Sequence, residues 1–319
     1  MKQIGILLGG VSSEHRVSLK SGQAVLDNIN RRKYKPCKLK IREDGRWCFS
    51  IKELKGMDCV FIALHGKGGE DGTIQGFLET LGVNYTGPGV FSSALGMDKY
   101  SCKELWKGHD LPTIPHQIVE TPQECLSNHF PFVLKPRKEG SSLGISIVRK
   151  EAEVGECFEN ARHYDEDVLL EPYIKGRELT VGVLNISGQL KALPIVEIIP
   201  ATEFYNYEAK YNRSDTEYIV PANLSAKVTR KIQEIAVRAC KIIKINSFSR
   251  VDFLLETTHP YLLEVNTIPG LTSHSLLPKA AQANGISFTE LISRMIEGGF
   301  NNRTTRLPTR FDARRAGQV

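Results

Sequence analysis

Arg250-Val251-Asp252 and, a short turn later, Tyr261-Leu262-Leu263-Glu264-Val265-Asn266-Thr267-Ile268-Pro269-Gly270 set two carboxylates and a carboxamide into two apolar runs. Each run reads as a strand, and Glu264 and Asn266, two apart, share one face. Charge inside an apolar strand is costly unless a cation or a partner compensates it. Two carboxylates and an amide make a hard, all-oxygen set suited to Mg²⁺, which keeps water and substrate phosphates as its other ligands. A salt bridge from Arg250 to Glu264 is the alternative way of settling the same charge.

Around these strands the pattern predicts a further strand over 192–199, a helix over 226–243 by its apolar spacing, and a closing segment over 287–296. Residues 200–224 between them are long, polar and tyrosine-rich, as a lid or binding loop would be. Upstream, strands at 132–135 and 145–148 flank a turn at 140–144, with a helix near 151–161 and strands at 168–171 and 178–184, an α+β arrangement. Nearest the N-terminus, strands at 2–8 and 57–64 alternate with helices at 18–29 and 72–81, followed by a short strand at 82–85 and a glycine turn at 87–89. That alternation predicts an open, mostly parallel α/β unit. The expected division is 1–98, 99–184 and 185–300, with a tail at 301–319.

Three loops at strand ends carry polar chemistry. Gly9-Gly10-Val11-Ser12-Ser13-Glu14-His15 is a glycine turn entering a helix, a place where amides and a carboxylate face a ligand, or else a tight turn with a capping serine. It is neither Gly-x-Gly-x-x-Gly nor a P-loop. His65-Gly66-Lys67-Gly68-Gly69-Glu70-Asp71-Gly72 ends a neighbouring strand, so both loops would line one crevice, although His65 also suits an ordinary loop histidine. Lys135-Pro136-Arg137-Lys138-Glu139-Gly140-Ser141-Ser142-Leu143-Gly144 places a lysine at a strand end before Gly and Ser amides, which suits a phosphate chain or, more plainly, a polar hairpin.

The 319 residues, 41% of them apolar and 24% charged, exclude a single small module and wholesale disorder. No apolar run approaches the ~20 residues of a membrane span, and no cleavable leader precedes the first strand, so a cytoplasmic protein is expected. Seven scattered cysteines without a Cys-x-x-Cys pair read as reduced thiols. Five arginines lie in the tail at 303–315, and without that tail the net charge of +6 shrinks to a weakly basic body. A nucleic-acid footprint across the fold is therefore not expected.

The chain resembles the D-alanine–D-alanine ligases of the ATP-grasp class. The resemblance rests on six motifs in order: Gly9-Gly10-x-Ser12-x-Glu14-His15-x-Val17-Ser18, His65-Gly66-x-Gly68-Gly69-Glu70-Asp71-Gly72, Met97-Asp98-Lys99, Glu139-Gly140-Ser141-Ser142-x-Gly144, Tyr207-Glu208-Ala209-Lys210-Tyr211, and Asn266-Thr267-x-Pro269-Gly270-x-Thr272-x-His274-Ser275. Only the tail beyond about Phe300 falls outside them. The resemblance implies an ATP-grasp α/β fold of three subdomains and phosphorylation of one D-alanine carboxylate by ATP. Attack by a second D-alanine amine would follow, supplying peptidoglycan precursors.

It implies Lys99 and Lys135 on the ATP phosphates, and Glu171, Tyr173, Ile174 and Glu178 on adenine and ribose. Asp252, Glu264 and Asn266 would hold Mg²⁺, usually two ions, with Mn²⁺ able to substitute. Arg250 and the Gly270 amide would stabilise the oxyanion, and Lys210 would meet the transferred phosphoryl group. Glu14 would bind the first ammonium with His65 near its carboxylate. Ser275 and Leu276, at a helix start, would receive the second carboxylate, and Glu14, Ser141 and Tyr211 would form one hydrogen-bonded set. A homodimer without nucleic-acid or membrane partners is expected from the same source. A D-alanine–D-lactate ligase is the near alternative, and a nucleotide-binding or RNA-binding regulator using the basic tail is the distant one.

Overall fold

The computed structural model describes residues 1–201, 215–272 and 275–301. β1 (Lys2–Gly9) is buried from Ile4 onward. It runs between β2 (Tyr34–Ile41) and β3 (Cys59–Ile62), parallel to both, and a strand covered on both faces reads as an unbroken apolar run. β2 is an edge strand; with four lysines or prolines among its eight positions it shows no strand pattern in the sequence, and the sequence does not predict it. α1 (His15–Asn28) packs on β1 so closely that a Cβ at Gly22 would lie 2.5 Å from that of Leu8. α2 (Ile51–Lys55), closed by a Ser50–Glu53 capping box, α3 (Thr73–Thr80) and α4 (Val90–Met97) complete this part. The short strand expected at 82–85 reduces to one bridge, from Tyr85 to Val60.

Asp98 then starts α5 (Lys99–Lys107), its carboxylate accepting from the Ser101 amide at 3.0 Å. Beyond it lies an antiparallel sheet in the order β4 (Gln117–Val119), β7 (Val168–Pro172), β5 (Phe132–Pro136), β6 (Ser146–Val148). α6 (Pro122–Cys125) and α7 (Val154–Arg162) cover one face, enclosing a core of its own that includes Phe132, Val148 and Phe158.

The third sheet runs β11 (Glu217–Ile219), β10 (Val196–Ile199), β8 (Arg177–Ile186), β12 (Phe248–Glu256), β13 (His259–Asn266), with β9 (Gln189–Ala192) also on β8. The single strand expected at 192–199 is thus two, β9 and β10, separated by a break at Pro194, because proline cannot donate to the ladder. β11 lies within the segment read as loop. β8 crosses the 184/185 boundary drawn from the sequence, and its partners β9, β10 and β12 all belong to this sheet. α8 (Ala226–Ile242), α9 (Leu276–Ala283) and α10 (Phe288–Asn301) pack around it; the closing segment at 287–296 is the helix α10. One core runs through the first and third sheets, joining Ile6 and Phe61 to Phe248, Leu277 and Ile292.

Candidate active site

A cavity of about 670 Å³ opens between the four-stranded and the six-stranded sheets. Val133 and Ile147 wall it on one side, Leu179, Phe253 and Leu263 on the other, making an apolar slot. Lys99, Lys135, Glu171, Tyr173, Ile174 and Glu178 all line it, and so do Asp252 and Glu264. Alternation along β5 points Lys135 into the slot, where its ammonium lies 2.7 Å from Glu171. The other Glu171 oxygen lies 2.7 Å from Lys103, a fully buried lysine of α5. Sequence reading missed Lys103: it falls four residues after Lys99, hence on the same helix face, but a lysine pattern alone does not distinguish an inward face from a wet one.

The acidic end is built by register. Asp252 faces Glu264 and Arg250 faces Asn266 across the β12–β13 ladder, with an irregularity after Asp252. Arg250 grips Asp252 with two bonds of 2.9 and 2.8 Å, Thr180 donates to the same carboxylate at 2.5 Å, and Asn266 Nδ2 donates at 2.9 Å. Arg250 therefore pairs with Asp252 and not, as the alternative reading had it, with Glu264, whose cationic neighbour is Lys99 at 3.7 Å. Two carboxylates, one amide and an adjoining lysine-lined slot form a hard-oxygen donor set that fits a Mg²⁺–phosphate pair.

The loops of the first sheet meet this region from the other side. Ser141 donates a short hydrogen bond to Glu14, while Ser142 lines the slot. Both serines hold left-handed backbone, φ 52° and 58°, a costly conformation for two successive non-glycine residues and one that concentrates at functional loops. Gly66, at φ +69°, presses its backbone against Glu14, leaving no room for a Cβ, which would lie 2.8 Å from the carboxylate.

His65 is buried, with Nε2 2.9 Å from Ser21 Oγ and Nδ1 3.0 Å from the Ile268 carbonyl and 3.3 Å from Glu70. Burial pulls its pKa down, but the Glu70 hydrogen bond and the Glu70 and Glu14 charges outweigh that and leave it raised; burial likewise raises Glu70. Ser21, unremarked in the sequence because it sits within an ordinary helical pattern, also accepts from the Leu271 amide at 3.2 Å. It thus joins the His65 loop to the Gly270 loop. Ser275 stands at the N-terminal end of α9 beside Gly270, its hydroxyl accepting from the Thr272 amide at 3.0 Å, with Leu276 opening the helix. Lys210 and Tyr211 lie outside the described residues.

Residues 105–297 match the family described as the D-ala D-ala ligase C-terminus, and residues 3–56 and 48–88 match the D-ala D-ala ligase N-terminus. The chain belongs to the D-alanine–D-alanine ligase family. The D-alanine–D-alanine ligase of Acinetobacter baylyi is 45% identical over 91% of this chain and 93% of its own length. Among solved structures, the Bacillus anthracis D-alanine–D-alanine ligase complexed with ATP aligns with a TM-score of 0.80 at 32% identity, over 94% of this chain and 98% of that one. The VanG D-Ala:D-Ser ligase of Enterococcus faecalis aligns with a TM-score of 0.82 at 31% identity, over 94% and 99%. The fold of this ligase family is the ATP-grasp arrangement, in which two sheets close on the slot described above.

Proposed function

We propose that this ligase joins two D-alanines at the expense of ATP, giving D-alanyl-D-alanine, ADP and phosphate. The observation that carries the reading is the convergence on one slot of Lys99 and Lys135 with Asp252 and Glu264, a few residues from the Glu14–Ser141 contact. A free carboxylate is a poor acylating agent. Transfer of the γ-phosphoryl group to the first D-alanine makes an acyl phosphate, and the amine of the second attacks its carbonyl carbon, losing a proton as phosphate leaves. Positioning and charge stabilisation supply most of the catalysis in such a sequence.

In this reading Glu171, Tyr173, Ile174 and Glu178 hold adenine and ribose, and Lys99, Lys135 and the Ser142 loop the phosphates. Mg²⁺ would be held by Asp252, Glu264 and Asn266, where it neutralises charge on the transferred phosphoryl group. Glu14 takes the first ammonium. His65, oriented by Ser21 and the Ile268 carbonyl, stands near the carboxylate of that first D-alanine. Arg250 and the Gly270 amide face the developing oxyanion, Ser275 and Leu276 at the start of α9 take the second carboxylate, and Lys210 and Tyr211 complete the site.

We further read the chain as a cytoplasmic homodimer of three subdomains, with the second boundary ahead of β8 instead of at 184/185. Among the described residues no helix is long and apolar enough to cross a membrane. The reading is tested by phosphate release from ATP over a panel of D- and L-amino acids, D-serine and D-lactate, with products identified by mass. D-Alanyl-D-alanine is the expected main product at neutral pH; a predominant mixed product would overturn the acceptor assignment.

A further inference from the structure

One carboxylate in this protein is shared by two buried ammonium groups. Glu171 is 2% exposed and Lys103 fully buried, and each of its oxygens lies 2.7 Å from one lysine, Oε1 from Lys103 and Oε2 from Lys135. Only Lys135 reaches the slot; Lys103 stands behind Glu171, on α5, with no access to a ligand there. The two lysines thus differ in what they can do, although they hold the same carboxylate.

A polyphosphate entering the slot competes with Glu171 for the Lys135 ammonium. Were Lys135 the sole counterion of Glu171, the transfer would strand a buried carboxylate, and breaking a buried pair by removing one partner is strongly unfavourable. Lys103, fixed on the opposite oxygen, leaves Glu171 paired whichever way Lys135 turns. We propose, taking the slot as the ATP site, that Lys103 is a positioning residue for ATP binding, which keeps Glu171 neutralised so that Lys135 is free to pass from Glu171 to the nucleotide phosphates. Lys103 and Glu171 both carry charge near neutrality. Burial pushes Lys103 down to about 8 while Glu171 opposes it, and the two ammoniums hold Glu171 at about 2 against its own burial. Glu264, His116 and Cys102 are further titratable groups in electrostatic contact with Lys103.

The test is equilibrium binding of Mg·ATP together with steady-state kinetics on the full chain, for wild type, Lys103→Met, Glu171→Gln and the Lys103→Met/Glu171→Gln double variant. Lys103→Met is expected to weaken ATP binding by about tenfold, the scale of one lost charge partner, with the KM for D-alanine moved less than about twofold. The double variant is expected to recover at least about threefold of that loss, because Lys135 then has no carboxylate competing for it. Lys103→Met binding ATP as tightly as wild type overturns the proposal, as does a double variant no better than the single one. A purely structural lysine would instead lower kcat and both affinities together, without rescue.

If Lys103→Met does not fold, the double variant is set against Glu171→Gln. Equal ATP affinity supports the proposal, since Lys103 has no task once the carboxylate is gone, and a further loss overturns it. A wild-type protein that binds ATP but couples other amino acids refutes the D-alanine reading and leaves this inference to the binding data; one that binds no ATP refutes both.

Discussion

Glu171 and Lys103 are both driven below their ordinary pKa values, but for opposite reasons: burial lowers Lys103, whereas two ammonium neighbours lower Glu171 against its burial. Burial opposes charge on each, but the carboxylate has two ammonium neighbours, whereas Lys103 has one carboxylate and the repulsion of Lys135. The balance therefore favours the charged acid and disfavours the charged base. Because folding lowers the Glu171 pKa, its stability contribution is present above the unfolded value of 4.5 and is lost as pH falls through about 2. Melts of wild type and Glu171→Gln should differ by on the order of a few kcal/mol above that window and converge inside it. A gap that widens on acidification would contradict the pairing. At the acidic end, Glu264→Ala should cut turnover by on the order of 100-fold or more, from lost stabilisation of the transferred phosphoryl group. Its melting curve should barely move, since the 29% exposed side chain has Lys99 at 3.7 Å as its cationic neighbour. Phosphate release and calorimetry on the same sample check both halves.

Two helical glycines show how an element's surroundings set the effect of one methyl group. In α1, a Cβ at Gly22 would meet Leu8 at 2.5 Å, inside the contact that holds the helix on β1. Gly22→Ala should therefore destabilise the protein by about 1–3 kcal/mol through overpacking. In α7 nothing lies within 4 Å of a Cβ at Gly155. Gly155→Ala should stabilise by about 0.4–1 kcal/mol, because alanine costs less chain entropy in a helix. Chemical denaturation of the two variants is the measurement, and shifts of the same sign would refute the packing described for α1.

The first and third sheets share one core, whereas the four-stranded sheet has its own, so the molecule is built as a larger body and a smaller one with the slot between them. The smaller body, with fewer buried side chains, should open at lower free energy in native-state hydrogen exchange. ATP at about 100 times its Kd should add about 2.7 kcal/mol of stability. The accompanying slowing of exchange should concentrate in β5–β7 and in β12–β13, the strands that wall the slot. Protection spread evenly over β1–β3 as well would place the nucleotide elsewhere.

Local requirements were legible without a structure. Glycines at tight turns, carboxylates in apolar strands and a lysine at a strand end are dictated by the backbone and charge of their own neighbourhoods, so Lys135, Asp252 and Glu264 could be read from their own segments, whereas Lys99 came only through the family resemblance; all four meet at one slot. The parallel first sheet, the central hairpin and the helix at 226–243 were legible for the same reason, since periodicity is a local property. Pairing between distant segments was not. Lys103 looks like any lysine of an amphipathic helix until β7 brings Glu171 to it, and Ser21 acquires its place only when the His65 and Gly270 loops converge. The partner of Arg250 was decided by cross-strand register, which sets Asn266 and not Glu264 opposite it and leaves Asp252, two residues along the same strand face, within reach. These contacts depend on which strands become neighbours, and that is settled by burying the whole apolar surface together, a condition no single segment expresses.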